Sequence, residues 1–476
     1  MKQINWHIFS REWARVLCVG LMLSWITPSV AYHTSEANVL GCYAYRIEDE
    51  NLYVAYNDGA GVEYTYWFKK CMANNLYTFY RVGYRAVDRN YPSAEGIDSD
   101  AKIIYFNKTS SDNIGPVLMF FGGWVGGNHL VKNPINEQQI LSARNNAFVI
   151  YIDGQKVEDN CAGMASTVKV DVENTIFDPG ILPTTADVEC LSVPLYKEYV
   201  TYTICCNSIE VAVRLSFVDS TTNGVSHYYG MQSMFDGETH FMTPNGKYTS
   251  WQVVENTTFS KGDYPDFNRY IEKNDTRHTY QATYLCPNVG IGDHSKIVES
   301  SFIFNRSSNK MYHHQMEKVA DVAGKAYEWA GTYTFFTEPW LETDSVFVYR
   351  GSIGGKEALF VNTKGAFSGE IPLPPGCNRI SVVENVGVLD KQGENKFPVG
   401  ENGVGIFSDS AGSLILQLDL LRGDVNNDGE VDVNDVTLLI NVILGNEHFS
   451  NQLCDVNDDG DVDVGDVVEV VNRILI

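Results

Sequence analysis

Apolar residues along the chain keep two different rhythms. Val211, Val213, Leu215 and Phe217 alternate with Ala212, Arg214 and Ser216, which is how a strand with one buried face reads. Similar apolar runs predict strands over 117–121, 148–152, 199–204, 346–349, 359–361, 380–383 and 414–418. Near the C-terminus the rhythm changes. Val436, Leu439, Ile440 and Ile443 recur at i, i+3, i+4 and i+7, and Val467, Val470, Val471 and Ile474 repeat that face 31 residues later. Each set predicts a short amphipathic helix. Gly445 stands where a helix-ending glycine is expected. Sparser helical patterns cover 134–144, with Asn133 as the cap, and 315–329.

Each C-terminal helix follows a twelve-residue acidic run, DVNNDGEVDVND from Asp424 and DVNDDGDVDVGD from Asp455. Oxygen-bearing side chains occupy positions one, three, five, nine and twelve. They are Asp424, Asn426, Asp428, Asp432 and Asp435, then Asp455, Asn457, Asp459, Asp463 and Asp466. Gly429 and Gly460 at position six permit a sharp turn, and Glu430 and Asp461 at position seven offer backbone carbonyls. A Ca²⁺ ion takes six to eight oxygens at roughly 2.3–2.6 Å, and this spacing wraps one loop around one ion. The repeat therefore predicts two bound Ca²⁺ ions. Acidic Asx turns can use the same residues without an ion, but two complete copies in one register favour the cage.

Loop plus exit helix, duplicated, with little sequence before each loop to form an entering helix, resembles the type I dockerin module over about the last 55 residues. The resemblance implies docking onto a cohesin-like scaffold protein and a place in a polysaccharide-degrading assembly. The sequence departs from the clostridial pattern where partners are chosen. Loop positions ten and eleven, often Ser or Thr there, are Val433 and Asn434, then Val464 and Gly465; a position often basic is Asn441 and Asn472.

The formal net charge of −25 gathers in this repeat, where residues 421–476 hold 13 acidic side chains against Arg422 and Arg473. Such charge awaits cations and excludes nucleic acid as a partner, which needs a basic footprint. At the other end, Lys2, Arg11 and Arg15 precede an apolar run over 16–26 that is too short to span a bilayer. Ser29 and Ala31 then suit signal cleavage after Ala31. A mature, exported chain without a transmembrane segment is expected, secreted or held at the cell surface. Loss of Cys18 leaves nine cysteines with no CxxC, so zinc knuckles are not expected.

The fold class expected is mainly β, an antiparallel sandwich body followed by a small helical calcium module. The divisions expected are a signal peptide over 1–31, a large sandwich over 32–330, a small sandwich over 331–420 and the calcium module over 421–476. By size and strand content the body loosely resembles galactose-mutarotase-like supersandwich proteins. GSIGGKE at 351–357 lacks the residues of a phosphate-binding Walker loop, and GVSHY at 224–228 lacks the second glycine of a nucleophile elbow. GGWVGGNH at 122–129 reads as a hairpin or bulge.

The densest mixture of aromatic and polar residues lies over 227–294. Glycan chemistry needs carboxylates, His and Arg around an aromatic face, so Glu238, His240, Asp263, Asp266, Arg269 and His294 are the candidate catalytic residues. The adjacent His313 and His314 point to opposite strand faces and cannot both line one site. Two functions remain open. One is a carbohydrate-active or carbohydrate-binding protein, if an enzyme then a glycoside hydrolase or mutarotase-like one. The other is a non-enzymatic surface or adhesion protein using the calcium module as a tag or cap.

Overall fold

The computed structural model describes residues 43–475 except 59–60, 90, 108–112, 236–239, 244–248, 254–256, 261–267, 287–299, 306–309, 375–376, 401, 421–422, 427–429, 448–453 and 458–460. The expected export segment over 1–31 lies outside the described residues. Among the described residues no helix is long and apolar enough to cross a membrane.

Five antiparallel sheets build the body, with one further two-stranded pair, Val131–Lys132 with Gln139–Ile140. The first sheet has six strands and centres on Val62–Cys71 and Leu76–Ala86. The second has ten, with Val168–Phe177, Pro194–Cys205, Ser208–Phe217, Ala326–Phe336, Thr279–Leu285 and Arg269–Asn274 as consecutive neighbours. The third has six and centres on Val225–Met234 and Lys310–Val319. These three share one core. Phe68 and Phe79 of the first sheet meet Tyr202 of the second edge-on at 5.5 and 6.0 Å, and Val225, Tyr228 and Met316 enter from the third. The strand alternation read from the sequence is this burial, Val211, Val213, Leu215 and Phe217 all lying in that core.

The fourth sheet, of five strands around Val346–Ile353, Lys356–Thr363 and Gly412–Leu420, is covered on both faces. Val346, Val348, Leu359, Val361, Leu414 and Leu416 face Ile371, Val404 and Ile406 of the fifth sheet. On the other side Phe347, Tyr349, Phe360 and Ile415 pack on Ile271, Tyr280, Ala282 and Phe336 of the ten-stranded sheet. Double burial explains why these strands read as unbroken apolar runs rather than alternating ones. Four rings stack nearly parallel across this second contact. Tyr280 to Phe336, Phe336 to Tyr349 and Tyr349 to Phe360 are 4.9, 5.2 and 4.7 Å apart, at 5°, 3° and 3°.

Three expectations meet a different structure. Residues 134–144 are not helical: Asn133 does accept the Ile135 N–H at 2.9 Å, but Asn133 and Gln138 then close a turn with Glu137 at φ 63°, and the chain doubles back. Residues 315–329 form the end of one strand and the start of the next, because Tyr327 and Trp329 alternate into the core with period two. The division drawn between 330 and 331 would cut the strand Ala326–Phe336, whose far end carries a ring of the stack. The 122–129 segment does enter a hairpin, Trp124–Val125 pairing with Val117–Met119.

Buried carboxyls test how these layers are held. Glu384 of the fourth sheet's strand Cys377–Val386 is ion-paired with Arg269. It also accepts bonds from Asn268 Nδ2 at 2.9 Å and the Tyr284 hydroxyl at 3.0 Å. Glu272 is fully buried with the Ser233 hydroxyl donating to it, and burial pushes its carboxyl up to about 8. Glu198 lines a cavity of about 20 Å³, room for about one water, with Asn174, Thr78, Asn113 and Tyr202, and burial pushes it up to about 7. Carboxyls raised in this way hold protons that the unfolded chain has released, so they make the fold lose stability as pH rises from about 4.5 through 7 and 8. Glu272→Gln should flatten that decline, giving a melting temperature that changes less between pH 5 and 9 than the parent's. Glu384→Ala should cost about 3–5 kcal/mol in urea unfolding, because Arg269 is left buried without its counter-charge.

Candidate functional site

Both repeat helices form where the periodicity puts them. Helix α1 runs Val433–Ile443 and helix α2 runs Val464–Ile474. Each begins with a capping box. Asp432 accepts from the N–H of Asn434 at 2.7 Å and Asp463 from that of Gly465 at 2.6 Å. In return Asp435 and Asp466 accept the N–H groups of Asp432 and Asp463, both at 2.8 Å. Loop positions nine and twelve are therefore also the N-cap and third residue of a helix, where negative charge is favoured by the helix dipole. Helix α1 ends at Leu444, with Gly445 left-handed at φ 72° as a glycine there allows.

The position-twelve carboxylates do a second job. Asp435 accepts the Asn426 N–H at 3.1 Å, and Asp466 accepts those of Val456 and Asn457 at 2.7 and 3.2 Å. One buried side chain thus ties position three of the first loop, and positions two and three of the second, to position nine. Asp424, Asp435 and Asp466 are fully buried, and for Asp435 and Asp466 these backbone donors offset the cost. Asp424, Asn426, Glu430, Asp432 and Asp435 of the first loop are described, as are Asp455, Asn457, Asp461, Asp463 and Asp466 of the second, while Asp428 and Asp459 lie outside the described residues. The set is all oxygen, which suits a hard cation such as Ca²⁺. Among the described residues no three His, Cys, Asp or Glu side chains form a ready cluster.

The helices pack against each other over a small core of Val425, Leu439, Val442, Cys454, Val456 and Val470. Burial beside Asp466 pushes the Cys454 thiol up to about 12 and leaves it unreactive. This core corrects the expected faces. Val442 is inside, whereas Ile440 and Val471 point outward at 42% and 37% exposure. Each helix carries a second apolar stripe, Val433, Ile440 and Leu444 on α1 and Val464, Val468, Val471 and Leu475 on α2. Val433, Leu444, Val464 and Leu475 are 64–78% exposed.

In the body only His240 and Arg269 of the catalytic candidates fall among the described residues, and these two lie apart. Glu238, Asp263, Asp266 and His294 lie outside the described residues. His240 starts a short strand and sits 3.1 Å from Asp275, which also holds Lys273 at 2.8 Å. Arg269 is four residues along the neighbouring strand from Lys273, the register partner of His240, so roughly 13 Å away. At 2% exposure and bound to Glu384, Asn362 and Ser413, Arg269 is a joint between sheets and is closed to substrate. The glycine-rich 351–357 segment binds the protein's own carboxylate, Gly355 donating its N–H to Glu210 at 3.0 Å.

The two neighbouring histidines separate as alternation requires. His313 stacks on buried Tyr270 at 5.3 Å, and burial lowers it to about 3, keeping it neutral. His314 turns the other way and meets His227, ring nitrogen to ring nitrogen at 3.0 Å. Sequence spacing held no signal for this pairing, since 87 residues separate the two.

A duplicated loop–helix unit, each helix capped by carboxylates of its own acidic loop, has the build of a calcium-binding docking module. Residues 422–475 match the dockerin type I domain, and this part of the chain is a type I dockerin, a class that binds calcium and docks onto cohesin scaffolds. No curated protein matches the chain. Among solved structures, the Slr1438 protein of Synechocystis sp. PCC 6803 is similar at 10% identity, over 65% of this chain and 100% of its own, with a TM-score of 0.28. A likeness at that level says nothing about what the body does.

Chelation should open the module first, because carboxylates gathered without a cation repel one another. Limited proteolysis of the whole chain in EGTA should cut within 424–475 before the body, and added Ca²⁺ should restore protection.

Proposed function

We propose that this is an exported protein whose dockerin, carrying two Ca²⁺ ions, attaches a carbohydrate-handling β body to a cohesin-like scaffold of a polysaccharide-degrading assembly. The observation that carries the docking half is the pair of outward apolar stripes. A module whose core is already filled keeps seven apolar side chains in water, six of them in three matching pairs, Val433 with Val464, Ile440 with Val471 and Leu444 with Leu475. Apolar side chains held out on rigid helices suit burial in a partner. Val433 and Val464 stand at the loop position where clostridial dockerins often present hydroxyls, so the partner surface should itself be apolar there. Val433→Asp combined with Val464→Asp should leave calcium protection intact. It should lower capture by a cohesin panel at least tenfold, measured by calcium-dependent surface binding.

A second reading is supported by one observation: among the described residues, His240 and Arg269 do not share an accessible cleft. On that reading the body is a non-enzymatic surface or adhesion protein and the dockerin its assembly tag. The whole chain on a glycan array, beside a reducing-sugar assay, separates the two. Array binding with sugar release supports the enzyme, binding alone supports a glycan-binding body, and silence in both supports adhesion. Export predicts a mature N-terminus at Tyr32, read by N-terminal sequencing of protein from the medium or cell surface.

A further inference from the structure

The outward face of the third sheet holds two imidazoles that neither docking nor sheet packing requires. His227 lies on Val225–Met234 and His314 on Lys310–Val319, neighbouring antiparallel strands. Their register slips between Tyr228 and Tyr229, so that His227 faces Glu317 while Tyr229 faces His314. The slip sets the two rings diagonally against each other, with His227 Nδ1 and His314 Nε2 3.0 Å apart.

Neighbouring rings fix both histidines. Tyr229 stacks beside His227 at 5.8 Å and 14°, and stands edge-on to His314 at 4.9 Å. Tyr312 stacks on Tyr229 at 4.7 Å, and Trp124 lies between Tyr229 and His129 at 5.3 and 5.5 Å. The distinctive chemistry of this ring cluster is the nitrogen pair.

Two nitrogens bound to one metal at about 2.0–2.1 Å stand about 2.9 Å apart at a right angle and about 3.3 Å apart in a tetrahedron. The observed spacing matches the right-angled case, the geometry of square-planar or octahedral ions with imidazole ligands. We propose that His227 and His314 form a two-imidazole site for Cu²⁺ or Ni²⁺, separate from the calcium loops. Two residues fall short of the three-ligand cluster that is absent among the described residues, so water fills further positions. Glu317, across from His227 and held only by an ion pair to its neighbour Lys318 at 3.2 Å, is within a cross-strand side-chain pair of the site. The hydrogen now shared between the rings moves to the far nitrogen of one imidazole when the ion enters, so no net proton need leave. His314 is buried and His227 half-buried, so the ion reaches the pair from the His227 side.

The test uses the full chain with its calcium loops saturated, titrated with Cu²⁺ and followed by electron paramagnetic resonance and calorimetry. One tight equivalent is expected, with hyperfine splitting from two nitrogens. His227→Ala should weaken that equivalent at least tenfold and remove the two-nitrogen pattern, while the exposed control His278→Ala should leave both unchanged. His227→Gln, which keeps a polar group at the surface, should behave as His227→Ala if the alanine variant folds poorly. An oxygen-only spectrum, or a two-nitrogen spectrum that survives loss of His227, would overturn the assignment.

Discussion

A carboxylate stripped of water has to be met by a cation, by backbone N–H groups or by its own proton, and this chain uses all three answers. Glu63 is wholly buried and held by Arg85 and Arg89 at 2.7 Å each, with the Ser93 N–H at 2.8 Å. Glu384 is met by Arg269 at the joint between the large and small sheets. Asp435 and Asp466 are met by backbone amides and so shape the loops around them. Glu198 and Glu272 have no cation beside them and keep their protons toward neutral pH. The same side-chain type therefore braces sheets, ties an acidic loop to its helix or makes the core sensitive to alkali, according to its neighbours.

That constraint separates the two halves of the molecule by how they are stabilised. Large apolar cores hold the body, where three sheets share one core and the fourth is buried on both faces. The dockerin has a core of six buried side chains among the described residues, too few to hold a module of this size by burial alone. Small size also explains its two apolar stripes: one face of each short helix fills the core and the other remains for a partner. The body's polar groups, by contrast, are spent inward. Arg269, a catalytic candidate in the sequence, and Glu210 are both committed to contacts between sheets.

Much of the dockerin was legible because its information is local. Spacing of Asp, Asn and Gly along twelve residues defines a loop, and the capping role of Asp432 and Asp463 lies within three residues of their partners. Strands of the body were legible for the same reason, since alternation reports burial one residue at a time. The helical patterns at 134–144 and 315–329 misled because a few apolar residues at mixed spacing fit either period, and turn chemistry at Asn133 and Glu137 decided the first case. Glycan chemistry drew attention to 227–294, yet the described candidates from that stretch lie apart.

By itself the sequence determined the two C-terminal helices, the dockerin kinship and the β character of the body. Tertiary structure alone decided that Arg269 is a joint, that Ile440 and Val471 face outward, and that His227 meets His314 across 87 residues. The reason is physical. Short-range patterns fix backbone conformation, but which side chains share a space depends on strand order and register, and a slip of one residue exchanges the two faces of a strand.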